Sequence, residues 1–205
     1  MNYSDLASNE IVQKTAEAIK ARGVGVEIVN TGAEALEKIK NLIPAGASVN
    51  NGSSVTLKEI GFVEYLKSGK HGWNNLHEAV LNEKDPAKQA ELRNLSNFAD
   101  YYLGSVHALA ETGEMVIASA SGSQLPSLAN TARNIILVVG TQKIAPNLEG
   151  ALRRLREYVV PLENERMKST GAAGTVLAKI LIMEQEPAFM GRKIHVILVN
   201  EKLGF

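Results

Sequence analysis

Hydrophobic positions along the chain change period several times, and each change marks an element. Val12, Ala16 and Ile19 recur at helical spacing and Gly23 supplies a stop, so the pattern predicts a helix over 5–22. Val24, Val26 and Ile28 then alternate with Gly25, Glu27 and Val29, the period of a strand. Thr31 and Glu34 form a capping box for a second helix whose inner face carries Leu36, Ile39 and Ile43. Pro44 and Gly46 break it, and Ala47–Asn50 begins another short strand. Helix, strand, helix and strand joined by short links predict an α/β fold, a mainly parallel sheet covered by helices.

The middle is helical and less regular. Asp85 as N-cap with Pro86 at the first helical position opens a helix through about Phe98, and 65–84, with Gly69, Gly72 and Trp73, reads as a loop or broken helix over the core. A second α/β half follows. Tyr101–Val106 and Glu114–Ser119 are expected strands, and the aliphatic run Ile135–Val139 is a buried one. Ser123–Ala129 is a short helix between the latter two. Leu148, Leu152 and Leu155 define another helix, and Ile194, Val196 and Leu198 a last strand. No repeat or linker divides the chain, so one domain over 1–205 is the simpler account.

Composition narrows the class. The 205 residues are 45% hydrophobic and 21% charged, ordinary for a soluble globular protein. Twenty-two basic and 22 acidic side chains cancel, so the counterion-releasing excess of a duplex-DNA binder is missing and no nucleic acid is expected. Cysteine is absent, which excludes disulfides and a protein-ligated iron–sulfur cluster within this chain. The polar start Asn2-Tyr3-Ser4-Asp5 is not a signal peptide, and no apolar run nears the roughly 20 residues of a membrane helix. A cytoplasmic protein without membrane contact is expected.

Four segments are candidates for chemistry. Asn51-Gly52-Ser53-Ser54-Val55-Thr56 follows a strand and precedes a helix, where a sharp glycine turn, hydroxyls and helix amides converge on an anion; the competing reading is that Ser53 or Ser54 caps the helix and Thr56 with Glu59 is a second capping pair. Glu111-Thr112-Gly113, between two strands, offers a carboxylate as general base or nucleophile, or else a solvated turn. Ser119-Ala120-Ser121-Gly122 repeats the theme of the first loop ahead of another helix. Glu165–Thr175 lacks the glycine–Lys–Ser/Thr spacing of a nucleotide loop; it reads as a flexible surface segment, or one bringing Lys168 or Arg166 over a pocket. His71, His77, His107 and His195 lack zinc-site spacing, so no metal is expected, and Arg153, Arg154 and Arg156 read as a solvated helix face.

The run Ser48–Gly61 resembles the first block of LUD-domain proteins, the family linked to lactate utilisation. The second block is similar to Ala99–Gly140, with Ala108-Leu109-Ala110-Glu111-Thr112-Gly113 and Leu125-Pro126-Ser127-Leu128. With the ending Lys193–Glu201 the resemblance spans about 40–205. It implies a fold like that of sugar-phosphate isomerases and CoA transferases, with Asn51–Thr56, Glu59, Glu111–Gly113 and Ser119–Gly122 in the pocket. Lactate-associated members carry Gly-Pro-Ser-x-Thr-x-Asp-Ile-Glu and Gly-Val-His-Gly-Pro stretches; this chain has Glu165–Thr175 and Lys193–Phe205 instead. The expectation is a pocket for a small organic anion (a carboxylate, sugar phosphate or acyl thioester), held by amides near Ser53 and Ser121 with Glu111 as acid/base and no cofactor. The alternative is a non-catalytic subunit of a complex whose iron–sulfur cluster sits in a partner protein.

Overall fold

The computed structural model describes residues 2–205. Its strands are β1 (Gly25–Val29), β2 (Ser48–Asn51), β3 (Asn74–Asn75), β4 (Tyr101–Gly104) and β5 (Ala108–Ala110). They continue with β6 (Met115–Ser119), β7 (Asn134–Gly140), β8 (Ile144–Ala145), β9 (Lys179–Met183) and β10 (Lys193–Val199). The larger sheet has the order β1-β10-β7-β4-β2-β3 with every pairing parallel. The smaller has the order β8-β5-β6-β9 and is mixed, β6 running antiparallel to both neighbours.

The helices are α1 (Asn9–Ala21), α2 (Gly32–Leu42), α3 (Val55–Glu59), α4 (Phe62–Lys67), α5 (Leu76–Asn82), α6 (Pro86–Leu95), α7 (Leu148–Arg154) and α8 (Val160–Ser169). Their starts follow local chemistry. Thr31 Oγ1 accepts from Glu34 N at 3.2 Å, as the capping box requires, but the Glu34 carboxylate reaches one residue further back, to Asn30 N at 2.8 Å. Asp85 accepts from Ala87 N and Lys88 N with Pro86 in the first turn.

Strand β7 shows why the sheet is buried on both faces. Ile135, Leu137 and Val139 pack with Val12, Ala16 and Ile19 of α1, with Val196 and Leu198, and with Leu109, Met115 and Ile117 of the smaller sheet. Ile136 and Val138 point the other way, to Ala35 and Ile39 of α2, Leu57, Phe62 and Trp73. The period of two thus divides one aliphatic run between two cores. The smaller sheet turns Ala108, Val116 and Ala118 outward against Ala151, Leu155 and Val159.

Several expectations change. Strands β5 and β8 were not anticipated, because two or three residues leave too short a pattern, and neither was β9. The segment 65–84 takes the broken-helix form of the two expected: α4 ends at Lys67, a short edge strand β3 follows, and α5 runs from Leu76 to Asn82. Helix α6 forms but buries none of its residues. The segment 165–175 is helical through Ser169: α7 runs through a π-turn at Leu155–Val159 into α8, which carries the pairs Glu163–Arg166 and Glu165–Lys168. Arg153 and Arg156 are solvated as expected, but Arg154 is 0% exposed. It lies three residues beyond buried Ala151 and beside Leu155, so it shares their inward face.

Inside, the Arg154 guanidinium donates to His107 O at 2.5 Å, Phe205 O at 3.3 Å and Tyr3 O at 3.4 Å, and lies over the Tyr158 ring. Arg154→Ala would strip buried carbonyls of their donor and leave a void, so a loss of about 3 kcal/mol is expected in urea unfolding. Arg153→Ala, on the solvated side, should stay within about 0.5 kcal/mol of the parent chain.

Candidate functional site

Strands β2, β4 and β7 are neighbours and parallel, so the segments that leave them emerge along one rim. From β2 comes the turn Gly52–Ser54. Asn51 is buried, its amide nitrogen donates to Gly52 O at 3.1 Å, and its Oδ1 has no hydrogen-bond partner. Ser54 caps α3 by accepting from Leu57 N at 3.2 Å, so the capping reading holds for Ser54. Ser53 faces solvent.

The second predicted loop, Ser119–Gln124, leaves β6 and meets the first. Tyr102, from β4, donates its hydroxyl to Gln124 Oε1 at 3.3 Å. A methyl group on Gly52 would lie 2.7 Å from both that hydroxyl and that oxygen, so only glycine fits without displacement. Burial pushes the Tyr102 phenol up, against a smaller opposing effect of the Gly52 amide, and its hydroxyl stays protonated as a donor. The loop is internally braced. Ser119 Oγ accepts from Gly122 N at 2.9 Å, Ser121 Oγ from Ser123 N at 3.2 Å, and Gln124 Nε2 donates to Ala118 O at 3.1 Å. Gly122 has φ +87° and the Lys179 side chain lies across it, Nζ donating to Ala120 O at 3.2 Å. Gly52 and the Ser119–Gln124 loop therefore come together, as the sequence suggests.

Beneath this rim is a residue the sequence reading missed. Lys143, just after β7, is 3% exposed. Its Nζ contacts Thr56 Oγ1 at 3.0 Å, Ser105 Oγ at 3.1 Å and Val106 O at 3.1 Å. Burial, reinforced by Arg154 and opposed by Glu59, pushes its pKa down to about 7. Thr56 is buried and also donates to Leu203 O at 3.3 Å, while Glu59 accepts from Gly204 N at 2.6 Å. Ser105 directly follows Gly104, and the Tyr102 ring packs on Gly104. One line of contacts thus runs from Gln124 and Gly52 through Tyr102 to Lys143, Thr56 and Glu59. The available signal was position: a lysine three residues beyond a fully buried parallel strand.

The remaining expected residues lie elsewhere. The Glu111-Thr112-Gly113 turn and Ser119 occupy opposite ends of β6 in the antiparallel hairpin β5–β6, so Glu111 does not join the Gly52–Gln124 rim. Glu111 pairs with Lys14 at 3.0 Å and lines a cavity of about 380 Å³ with Tyr3, Ile11, Gln142, Ile144 and Pro146. Arg22 clasps the same turn, donating to Thr112 O at 2.7 Å and pairing with Glu114 at 2.6 Å, and its side chain fills the space beside Gly113. Lys168 sits on exposed α8, paired with Glu165 at 3.1 Å. A groove of about 820 Å³ between α2 and the end of α3 includes Glu59 and Glu201. Among the described residues, no group of three or more His, Cys, Asp or Glu is placed to hold a metal, and no helix is long and apolar enough to cross a membrane.

The model of the LUD domain matches residues 12–199, nearly the whole span of both sheets. The chain belongs to the LUD-domain family. The crystal structure of a DUF162 family protein from Deinococcus radiodurans superposes with a TM-score of 0.58 at 14% identity, covering 96% of this chain and 100% of that one. At that identity the likeness shows the shared fold. No curated protein matches the chain.

In this LUD domain His107 is the neighbour of both buried cations. Its Nδ1 accepts from Ala118 N at 3.1 Å, and burial, with Lys143 and Arg154 nearby, pushes its pKa down to about 4. A group held neutral in the folded chain but protonated when unfolded destabilises the fold as pH falls from about 6.5 toward about 4. His77 and His195, also lowered, act in the same direction. The melting temperature is expected to drop across that window, and His107→Gln to flatten the drop; an unchanged slope in the variant would place the effect in the other two.

Proposed function

We propose that this LUD-domain protein binds a small organic anion, such as a carboxylate, sugar phosphate or acyl thioester, at the rim where the Gly52–Ser54 turn meets the Ser119–Gln124 loop, and that it serves lactate or other organic-acid metabolism. The observation that carries the reading is the meeting of Gly52, Tyr102 and Gln124 at the carboxyl end of the parallel sheet, where α/β sheets receive ligands. Chemistry suits an anion there. Ser53 and Ser121 are exposed, Lys179 brings a cation across the second loop, and the neutral Tyr102 hydroxyl braces Gln124 beside them. Glu111, at the far end of the hairpin, is left out of this site and remains a candidate acid/base only for the cavity it lines.

The test is calorimetric titration with a panel of carboxylates, sugar phosphates and acyl thioesters. At least one class should bind, and Gly52→Arg, which drives a side chain into the space shared with Tyr102 and Gln124, should abolish that binding while leaving a cooperative melt. Unchanged affinity in a folded Gly52→Arg variant would remove this rim from consideration.

A further inference from the structure

The groove of about 820 Å³ between α2 and the end of α3 shares no lining residue with the Gly52–Gln124 rim. It opens at the carboxyl end of β1, whose last residue Val29 lines it, and beside Glu201, two residues past β10. Its lining positions on α2 run from Gly32 to Asn41, so it follows that helix for roughly 13 Å. Val29, Ala33, Leu36 and Ile60 make its walls apolar. The two sides approach closely, since a methyl group on Gly61 would lie 3.7 Å from Leu36 Cδ2.

The end of the groove at Gly32 is acidic. There Glu201 accepts from Gly32 N at 2.8 Å, Glu34 from Asn30 N at 2.8 Å and Glu59 from Gly204 N at 2.6 Å. Each of these bonds engages Oε2; among the described residues Oε1 has no partner in any of the three, and none of the three is in an ion pair. Backbone amides therefore hold the carboxylates in place and leave one oxygen of each unused. The other charged residues of the lining are already matched, Lys38 with Glu27 at 2.6 Å and Glu37 with Lys40 at 2.6 Å. Lys58 and Lys202, next in sequence to two of the free carboxylates, do not line the groove. Acidic and apolar surfaces meet at Gly32, where a methyl group would lie 2.9 Å from Ile60 Cγ2 and 3.4 Å from Glu201 Oε2.

We propose that this groove binds a small organic ammonium, its charged head at the Glu34, Glu59 and Glu201 end and its apolar body along Val29, Leu36 and Ile60. Charge complementarity selects the occupant. An alkyl ammonium brings three donors and no acceptor to carboxylates that lack donors, whereas an organic acid meets like charge. A bare divalent ion does not fit, because among the described residues no three acidic or histidine side chains are placed to hold a metal. The methylenes of the body displace water from the apolar walls, which a small inorganic cation cannot do.

Calorimetric titration of the intact chain compares hexylamine with hexanol, hexanoate and methylamine, which in turn remove the charge, reverse it and remove the body. Hexylamine should bind roughly tenfold tighter than any of the three. Glu201→Gln keeps an oxygen for Gly32 N but loses the charge, so hexylamine should bind severalfold more weakly at an unchanged melting temperature. Ala33→Trp, which lays an indole in the groove from an exposed helix position, should abolish binding. Glu64→Gln, at an exposed carboxylate outside the groove, should leave the affinity as it was. Hexylamine binding no tighter than hexanol overturns the proposal, as does an affinity unchanged in Glu201→Gln or lowered equally in Glu64→Gln. If Ala33→Trp does not melt cooperatively, the two Gln variants decide.

Discussion

Parallel pairing is the constraint on which the rest of this molecule depends. Adjacent parallel strands cannot be joined by a tight turn, so each of β1, β2, β4, β7 and β10 must leave the sheet by the same rim and return through a crossover. That requirement gathers Asn51, Ser105, Lys143 and Leu203 into one neighbourhood although they are spread over more than half the chain. Where pairing is antiparallel the effect reverses. The β5–β6 hairpin sends its turn to one end and the Ser119–Gln124 loop to the other, and so divides two segments that are near neighbours in sequence.

Two cations inside such a structure carry a desolvation cost that has to be met locally. Arg154 meets it with backbone carbonyls from three separate segments, and Lys143 with two hydroxyls and a carbonyl. The charges also disfavour one another, and His107 between them is held neutral. The arrangement also fixes irregular backbone whose apolar side chains, Leu203 and Phe205, pack into two different clusters. Residues 203–205 are held against the body of the domain by those side chains and these polar bonds.

Much of this was legible along the chain. The aliphatic run at β7, the alternation at β10 and the caps of α2 and α6 encode local structure that tertiary context reinforces. The convergence of the Gly52 turn with the Ser119–Gln124 loop was legible too, because strand–turn–helix order specifies which rim a loop occupies. What was hidden is whatever depends on partners distant in sequence. Arg154 reads as a solvent-facing charge and Lys143 draws no notice until Tyr3, His107, Thr56 and Phe205 are seen around them. Glu111 read as a site residue because sequence order alone does not tell which end of a hairpin faces the pocket. Strands β5 and β8 are too short to announce themselves and exist because they pair with each other along the flank of the larger sheet.

Helix α6 makes a different point. It forms from its own Asp85–Pro86 start and inserts no side chain into either core, while the chain is re-anchored immediately afterwards by Asn50 bonding to Ser96 and by Ser127 bonding to Asn97. The excursion is fastened at its base, and along its length it is held to α5 through Gln89, whose amide donates to Val80 O and Glu83 O. Residues 83–95 can therefore be lengthened, shortened or changed in composition without altering the register of the sheet.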